Sequence, residues 1–352
     1  MGSVAVRILH VRPRSDAGPL TCLLADARRR LALRHLAAFN ALGAGDGRLV
    51  ERPADDTPFG VRVRDLAPRA GGLVLLGSGA IPLARAVDLR PFLATAAVDD
   101  RVAIANNRYS ADIVAVGRAV VLRSLPELPS DNALPRWLDE VAGYHVRDLA
   151  RRWRLQVDWD SPLDLLLTAA SAEPIAADAP AAAVTRRIAV TAANRRAEVV
   201  VAGRTSASSL RWLERNVAAR VRALVEERGL RASSQAAMSS RDRAAHRPPR
   251  SVLGLVLDRD GPEALGSVLA GLGDAAIVDS RVLLAHRHGA DERAWPSQED
   301  RYASDLLLPD AIRDPWLRAL TASAAGARIP ILLGGHTVVG PGVRLVIRPR
   351  WT

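Results

Sequence analysis

The feature that most constrains the fold of this chain is an alternation of short apolar runs with longer amphipathic segments. Val, Ile and Leu are concentrated in runs at 4–11, 48–51, 73–76 and 102–105, and an amphipathic segment at 25–42 separates the first two. Strands that alternate with helices are typical of βαβ units, in which helices cover both faces of a mostly parallel sheet. The first half is therefore predicted to be α/β, with a three-layer, mostly parallel sheet.

Glycine and proline mark the ends of the predicted helices. The helix at 25–42 places its large apolar side chains mostly on one face and stops at Gly43, a residue type that commonly ends helices. A further helix is predicted at 82–97, and a long one at 134–153.

The length of 352 residues exceeds what one hydrophobic core usually supports, because single cores stop growing near roughly 250 to 300 residues. An Ala/Pro-rich stretch at 171–184 has little amphipathic pattern, which is typical of a domain boundary. We predict a first domain at 1–172 and a second, smaller α/β domain at 185–352.

The second half shows the same alternation in a weaker form. Its predicted elements are strands at 198–202, 331–333 and 343–347, a helix at 207–228, and a segment without regular structure at 232–250. A glycine-rich hairpin is predicted between its last two strands.

The formal charge of +11 comes from arginine, since none of the 49 basic residues is lysine. The arginines lie along predicted helices, as at 28–34, and alternate with apolar residues instead of lying beside aromatic ones. Solvated helix faces explain this pattern, and we expect no nucleic-acid partner. An arginine-rich nucleic-acid binder stays a third hypothesis, which requires one continuous positive face.

Cysteine content and hydropathy bear on the compartment. Cys22 is the single cysteine, which fits a reducing compartment. No run approaches the roughly 20 apolar residues that a membrane helix needs. We therefore expect a cytoplasmic protein without a membrane partner.

Three segments carry a resemblance to a known group of enzymes: Ala-Phe-Asn-Ala-Leu-Gly at 38–43, Leu-Val-Leu-Leu-Gly-Ser-Gly-Ala-Ile-Pro-Leu at 73–83, and Val-Asp-Trp-Asp-Ser-Pro-Leu-Asp-Leu at 157–165. Over residues 4–170 the chain resembles the glycosyltransferase-A-type nucleotidyltransferases, which include molybdenum-cofactor and phospholactate guanylyltransferases. The resemblance implies an NTP as substrate, Mg²⁺ as cofactor and transfer of a nucleotidyl group to a small phosphorylated acceptor.

The resemblance assigns the catalytic and metal-binding carboxylates to Asp158 and Asp160. In an extended segment both would point to the same face and could share one metal ion. An N-cap role for Asp160, ahead of the helix that starts near Pro162, explains that residue equally well.

The chain departs from the family pattern at two places. Gly79 or Ala80 occupies the position of a metal-binding aspartate, and residues 11–18 replace a glycine-rich phosphate loop. Arg12 and Arg14 could bind phosphate there through bidentate guanidinium contacts, although ordinary surface charge also explains them.

Polar residues that follow predicted strands complete the nucleotide site. Ser78 follows the strand at 73–76, and Asn106, Asn107 and Arg108 follow the strand at 102–105. The carboxyl ends of parallel strands are where ligands bind in open sheets. Turn formation is the alternative explanation for the asparagines.

The second half resembles no family, and three of its clusters suit ligands. They are the strand-to-helix junction Gly203-Arg204-Thr205-Ser206, the metal-compatible residues Asp279, His286, His288 and Asp291, and Gly334-Gly335-His336-Thr337. Capping and turn formation explain the first and the third without a ligand.

Two functions follow from these patterns. The leading hypothesis is a nucleotidyltransferase-like enzyme that binds an NTP with Mg²⁺. The alternative is a catalytically degenerate nucleotide-binding or scaffold protein that has kept the fold.

Overall fold

The computed structural model describes residues 3–55, 57–128, 131–168, 178–227 and 249–348. These residues fall into two compact units, each described by itself below. Unit 1 consists of the described residues of Met1–Ala17 and Ala25–Trp159. Unit 2 consists of those of Gly18–Leu24, Asp160–Leu230 and His246–Thr352. The limits 1–172 and 185–352 stay a prediction, and most of the segment at 232–250 lies outside the described residues.

Unit 1 is built on a six-stranded mixed sheet formed by its described residues, with strand order β2-β1-β3-β5-β4-β6. Strand β5 is antiparallel to both of its neighbours, and the other pairs are parallel. The strands are β1 (Val4–Arg12), β2 (Asp46–Pro53), β3 (Gly72–Gly77), β4 (Val102–Ala105), β5 (Ile113–Val116) and β6 (His145–Asp148). The α-helices are α1 (Pro19–Ala41), which enters this unit at Ala25, α2 (Phe59–Leu66), α3 (Ala86–Ala96) and α4 (Leu134–Glu140), with 3-10 helices at Ala119–Ser124, Asp131–Ala133 and Trp153–Leu155.

Both faces of this sheet are buried, which makes unit 1 a three-layer α/β structure. Val6 and Ile8 of β1 belong to a cluster that includes Phe39 of α1 and Phe92 of α3. The alternate residue Ala5 belongs to a second cluster, which draws on α2, α4 and the 3-10 helix after β5. Because side chains alternate along a strand, one apolar run supplies both layers.

The long helix predicted at 134–153 is wrong. Helix α4 ends at Glu140, Gly143 has a φ of +70°, and the chain then enters β6, which pairs with β4. A left-handed glycine stops a helix, and the ladder with β4 satisfies the backbone of the residues that follow.

Unit 2 contains a four-stranded sheet, parallel throughout its described residues, with strand order β10-β9-β7-β8. Its strands are β7 (Glu198–Gly203), β8 (Arg220–Val225), β9 (Ala275–Asp279) and β10 (Ile331–Gly334). Its helices are α5 (Pro162–Leu167), α6 (Pro180–Ala192), α7 (Ala207–Asn216), α8 (Val252–Asp260), α9 (Leu265–Leu272), α10 (Ser280–His288), α11 (Gln298–Asp305), α12 (Pro315–Ala325), α13 (His336–Val339) and α14 (Val343–Ile347), with 3-10 helices at Pro262–Ala264, Glu292–Ala294 and Pro309–Ala311.

Three predictions for the second half are wrong. The helix predicted at 207–228 is α7 followed by strand β8, the hairpin after β10 is replaced by α13, and the strand predicted at 343–347 is helix α14. A short, buried apolar run such as 343–347 cannot be assigned to helix or strand by periodicity alone.

In both sheets the chain adds the next strand on one side of a central strand and the following strand on the other side, so the strand order reverses there. Strand β1 lies between β2 and β3, and β7 lies between β8 and β9. The carboxyl ends of the strands beside such a point are the usual ligand position in open α/β sheets. The α/β prediction is confirmed.

Among the described residues, no helix combines the length and the apolar character needed to cross a membrane.

Candidate functional site

A buried polar pair lies where β1 and β3 of unit 1 end. Nδ1 of His10 and Oγ of Ser78 are 3.1 Å apart, and the two residues are 3% and 6% exposed. The Ser78 amide donates to the carbonyl of Leu9 at 2.8 Å, which fixes the turn after β3. Burial lowers the pKa of His10, so this imidazole is neutral at physiological pH.

Arginines lie near this pair. Besides burial, the positive charges of Arg28 and Arg29 lower the pKa of His10. Arg29 also forms an ion pair with Glu51 at 2.5 Å, and the charge of Arg12 lowers the pKa of Glu51 as well. Arg28 donates from Nε to the carbonyl of Trp159 at 2.6 Å.

The two arginines predicted to bind phosphate are both exposed. Arg12 is the last residue of β1, at the carboxyl end of that strand. Arg14 lies two residues beyond it, with an ion-pair distance to Asp16 of 3.5 Å. The strand therefore carries Arg12 to the carboxyl edge of the sheet, whereas Arg14 follows outside the sheet.

The residues predicted after β4 hold the loop between β4 and β5. Asn106 is fully buried, and its Nδ2 donates to Asp112 at 2.7 Å and to the carbonyl of Leu155 at 2.8 Å. Its Oδ1 accepts from the Asp112 amide at 2.9 Å. Asn107 donates to Gln156 at 3.2 Å. These amide side chains shape the strand end, as the turn-forming alternative requires.

Arg108 is held by carboxylates of the same unit. Its guanidinium pairs with Asp139, and its backbone N–H donates to Asp148 at 2.7 Å. The side chain is about one-third exposed. The structure therefore places Arg108 in an ion pair beside β4.

The two predicted metal carboxylates belong to different units. Asp158, in unit 1, forms an isolated antiparallel bridge with Ala80, and the next amide donates to the carbonyl of Gly79 at 2.9 Å. Asp160, in unit 2, donates from its backbone N–H to Asp164 at 2.9 Å. The described residues contain no group of three or more His, Cys, Asp or Glu side chains suited to a metal ion.

In unit 2 the carboxyl ends of β7 and β9 hold a buried ion pair. Arg204 donates to both oxygens of Asp279, from Nε at 2.6 Å and from Nη2 at 3.0 Å. Asp279 also accepts from the amide of Arg281 and so caps α10. Burial alone would raise the pKa of Asp279, but Arg204, His336 and Arg281 together hold it below its usual value.

A second buried pair follows directly in the chain. Arg281 donates to both carboxylate oxygens of Asp305, at 2.5 and 2.6 Å, and the Asp305 side chain is fully buried. Burial raises the pKa of Asp305, although Arg281 opposes that shift. Such a pair needs fork-shaped contacts and matched burial to offset the cost of desolvation.

Asp164 is a buried carboxylate whose position the sequence indicates. Its Oδ2 accepts from the amides of Asp160 and Ser161, at 2.9 and 2.7 Å, and from Oγ of Ser161 at 3.2 Å. This is the capping box at the start of α5. Burial, reinforced by the charge of Asp160, raises the pKa of Asp164 to about 7.

We predict that Asp164→Asn flattens the pH dependence of stability between pH 4 and pH 7. A pKa raised in the folded state means that stability is fully present below the ordinary aspartate pKa and is lost as the pH rises towards 7. The maximum slope is about 1.4 kcal/mol per pH unit. The amide oxygen of asparagine can accept the same hydrogen bonds, so urea unfolding at several pH values isolates the charge. An unchanged slope in the variant would contradict the assignment.

Of the two histidines predicted as metal-compatible, His286 joins two helices of unit 2. Both lie in the last turn of α10, where residues two apart do not share a face. His286 accepts at Nδ1 from the Ser251 amide at 3.0 Å and contacts Asp258 through Nε2 at 2.9 Å. His286 therefore joins α8 to α10.

Sequence reasoning missed four functional groups: His10, Arg28, Arg281 and Asp305. The first two lie within β1 and α1, whose apolar patterns gave no reason to single them out. Arg281 follows Asp279, but its partner Asp305 is 24 residues away and no local pattern links them. Only the tertiary fold of unit 2 brings that pair together.

No protein-family model matches the chain, and no curated protein sequence matches it. Among solved structures it is similar to an extracellular ligand-binding receptor from Verminephrobacter eiseniae, with a TM-score of 0.27 and 12% sequence identity. That match covers 100% of this chain and 86% of the receptor chain. A TM-score this low carries no conclusion about fold or function.

Proposed function

We propose that unit 1 binds a nucleoside triphosphate at the carboxyl ends of β1 and β3. The observation that carries this proposal is the buried contact between His10 and Ser78 at the reversal point of the sheet. Arginines at the rim supply charge for the phosphates, and guanidinium groups bind phosphate through paired hydrogen bonds. The neutral His10 leaves the Ser78 hydroxyl in a fixed position beside them.

Nucleotide binding without turnover is the function that this geometry supports best. Ser78, Gly79 and Ala80 follow β3 and bring no carboxylate to the position where the related enzymes hold a metal. Asn106 and Arg108 are engaged in contacts of unit 1 itself. In this proposal the protein works in the cytoplasm, where nucleoside triphosphates are abundant.

Nucleotidyl transfer to a small phosphorylated acceptor is the second candidate. Asp158 favours it, because the bridge to Ala80 places the backbone of this carboxylate residue beside the end of β3. When bound, Mg²⁺ would neutralise the phosphate oxygens and orient the triphosphate. Asp158 is the described residue that would hold it.

We predict that Arg12→Glu weakens NTP binding at least tenfold, because it reverses an exposed charge at the carboxyl edge of the sheet without disturbing the core. Isothermal titration with GTP, CTP, UTP and ATP, each with and without Mg²⁺, measures this. Arg69→Glu is the matched control, since Arg69 is also exposed but precedes β3 at the opposite end of the sheet.

The same titrations separate the two candidates. Binding that Mg²⁺ strengthens in the native protein but not in Asp158→Asn, together with pyrophosphate release, would support transfer. Binding without pyrophosphate release would support the non-catalytic function. Equal affinity in Arg12→Glu, Arg69→Glu and the native protein would refute the nucleotide site.

A further inference from the structure

The first turn of helix α8 is held by side-chain acceptors. Ser251 is the N-cap, and its Oγ accepts from the Gly254 amide at 3.1 Å. The Val252 amide donates to Oε1 of Glu226 at 2.6 Å, and the Ser251 hydroxyl donates to Oε2 at 2.7 Å. The first amides of a helix have no carbonyl partner within the helix, so side chains supply the acceptors here.

His286 of α10 accepts the amide of the capping residue itself. The Ser251 amide donates to Nδ1 at 3.0 Å, so Nδ1 carries no proton in this arrangement. Nε2 lies 2.9 Å from Oδ2 of Asp258 and therefore carries the ring proton, which it donates to that carboxylate. The contacts fix one neutral tautomer. A protonated ring has an N–H on both nitrogens and cannot accept the Ser251 amide.

The imidazole and the start of α8 are packed closely together. Ser251 is 1% exposed, and the His286 side chain is 2% exposed. A Cβ atom at Gly254 would lie 2.4 Å from Cγ of the imidazole, so the ring packs directly against the backbone of α8. A proton on Nδ1 would face the Ser251 N–H at this short distance. Relief of that contact requires the first turn of α8 to move away from the ring.

A carboxylate on the other ring nitrogen favours uptake of that proton. Asp258 contacts Nε2 directly, and an opposite charge at this distance stabilises the imidazolium form. The Asp258 side chain is 48% exposed, so solvent reaches this side of the pair. Glu226 also reaches the cluster, and its two oxygens accept from Ser251 and Val252. The charged ring therefore gains an ion pair while it loses the amide bond.

The other charged groups near the ring have partners of their own. Helix α10 packs against α8 and β10, and the four residues of β10 carry no titratable side chain. On α8, Arg259 pairs with Asp260 at 2.7 Å. On α10 itself, Arg281 pairs with Asp305, and the exposed Arg287 lies over the ring of Trp316.

We propose that His286 is an acid-sensitive latch. In its neutral form it holds the first turn of α8, and in its protonated form it pairs with Asp258 and releases that turn. Histidine ordinarily changes its charge between about pH 5 and pH 8, so mild acid is the signal. The latch lies within unit 2 and contains no residue of the nucleotide site proposed for unit 1.

The test is hydrogen–deuterium exchange of the full chain at about pH 7.5 and about pH 5, corrected for the intrinsic effect of pH on exchange. A peptide that covers residues 250–257 should exchange at least tenfold faster at the lower pH. The first turn of α7 is the internal control. Its cap Ser206 accepts from the Ser209 amide at 3.2 Å, and no described contact of that cap involves a histidine. Its corrected exchange should stay the same.

Two variants separate the latch from a general effect of acid. His286→Asn keeps an acceptor oxygen near the position of Nδ1 and cannot be protonated in this range, so its acid response should disappear. Asp258→Asn still accepts from Nε2 but no longer stabilises a charged ring, so it should reduce the response at pH 5 at least threefold. It changes a half-exposed side chain and keeps the fold if His286→Asn does not. Asp260→Asn is the matched control, because this exposed carboxylate of α8 pairs with Arg259 instead. It should respond as the native protein does.

Three results would show that the latch is wrong. The first is native protein in which the start of α8 does not respond to acid. The second is an equal response in the first turns of α7 and α8, which would mean that acid loosens unit 2 as a whole. The third is an undiminished response in Asp258→Asn or in folded His286→Asn. The NTP titrations of unit 1 are decided separately, so either proposal can fail without the other.

Discussion

Replacing Arg281 with methionine is expected to lower the free energy of unfolding by about 3–5 kcal/mol. The substitution removes both hydrogen bonds from residue 281 to Asp305 and leaves its fully buried carboxylate without its bidentate ion-pair partner. A buried charge that loses its partner either remains at high cost or binds a proton, and both outcomes destabilise the folded state. Urea unfolding at pH 7 measures the loss.

The double variant Arg281→Met with Asp305→Leu is the control for this prediction. It removes the remaining charge and fills the space with an apolar side chain, so it should recover most of the lost stability. A double variant no more stable than Arg281→Met would show that packing, and not the unpaired charge, causes the loss. The two residues contact each other directly, so their effects should not add.

Replacing Gly203 with alanine is expected to cost about 3 kcal/mol, the second large effect. The φ of +126° is unfavourable for any residue with a Cβ atom, and that atom would lie 2.3 Å from Cβ of Asp279. Relief of the overlap requires β7 and β9 to separate, which also disturbs the contact between Arg204 and Asp279. Thermal and urea unfolding both measure this cost.

Gly335→Ala is the matched control, because Gly335 follows β10 at the same end of the sheet. Its φ is −84°, and an added Cβ would meet no atom within 4 Å. A change within about 0.5 kcal/mol is expected there. If Gly203→Ala is equally harmless, the turn after β7 is not the rigid element inferred from its geometry.

Several elements could be predicted because their signals are local. The strand at Val102–Ala105 agrees residue for residue with the prediction, and β1 and β3 differ from theirs only at the ends. Gly43, with a φ of +96°, follows the end of α1 closely. Apolar periodicity and left-handed glycines act within a few residues, so the sequence alone reveals them.

Elements that depend on distant partners were misassigned. The residues of β6 and β8 carry arginine and few large apolar side chains, and they were predicted as continuations of the preceding helices. They are strands because β4 and β7 offer them backbone partners. Helix α14 was predicted as a strand because its short apolar run fits a buried strand as well as a buried helix.

The candidate sites also divide into features set by the local sequence and features set by contacts between distant residues. The sequence by itself determined that polar residues follow the strands and that Asp164 lies three residues after its capping serine. Tertiary structure alone decided that Arg204 meets Asp279, 75 residues away, and that His10 meets Ser78. Capping and turn geometry are set by neighbouring residues. An ion pair between distant residues depends instead on which strands pair, and strand pairing depends on how the whole sheet buries its apolar faces.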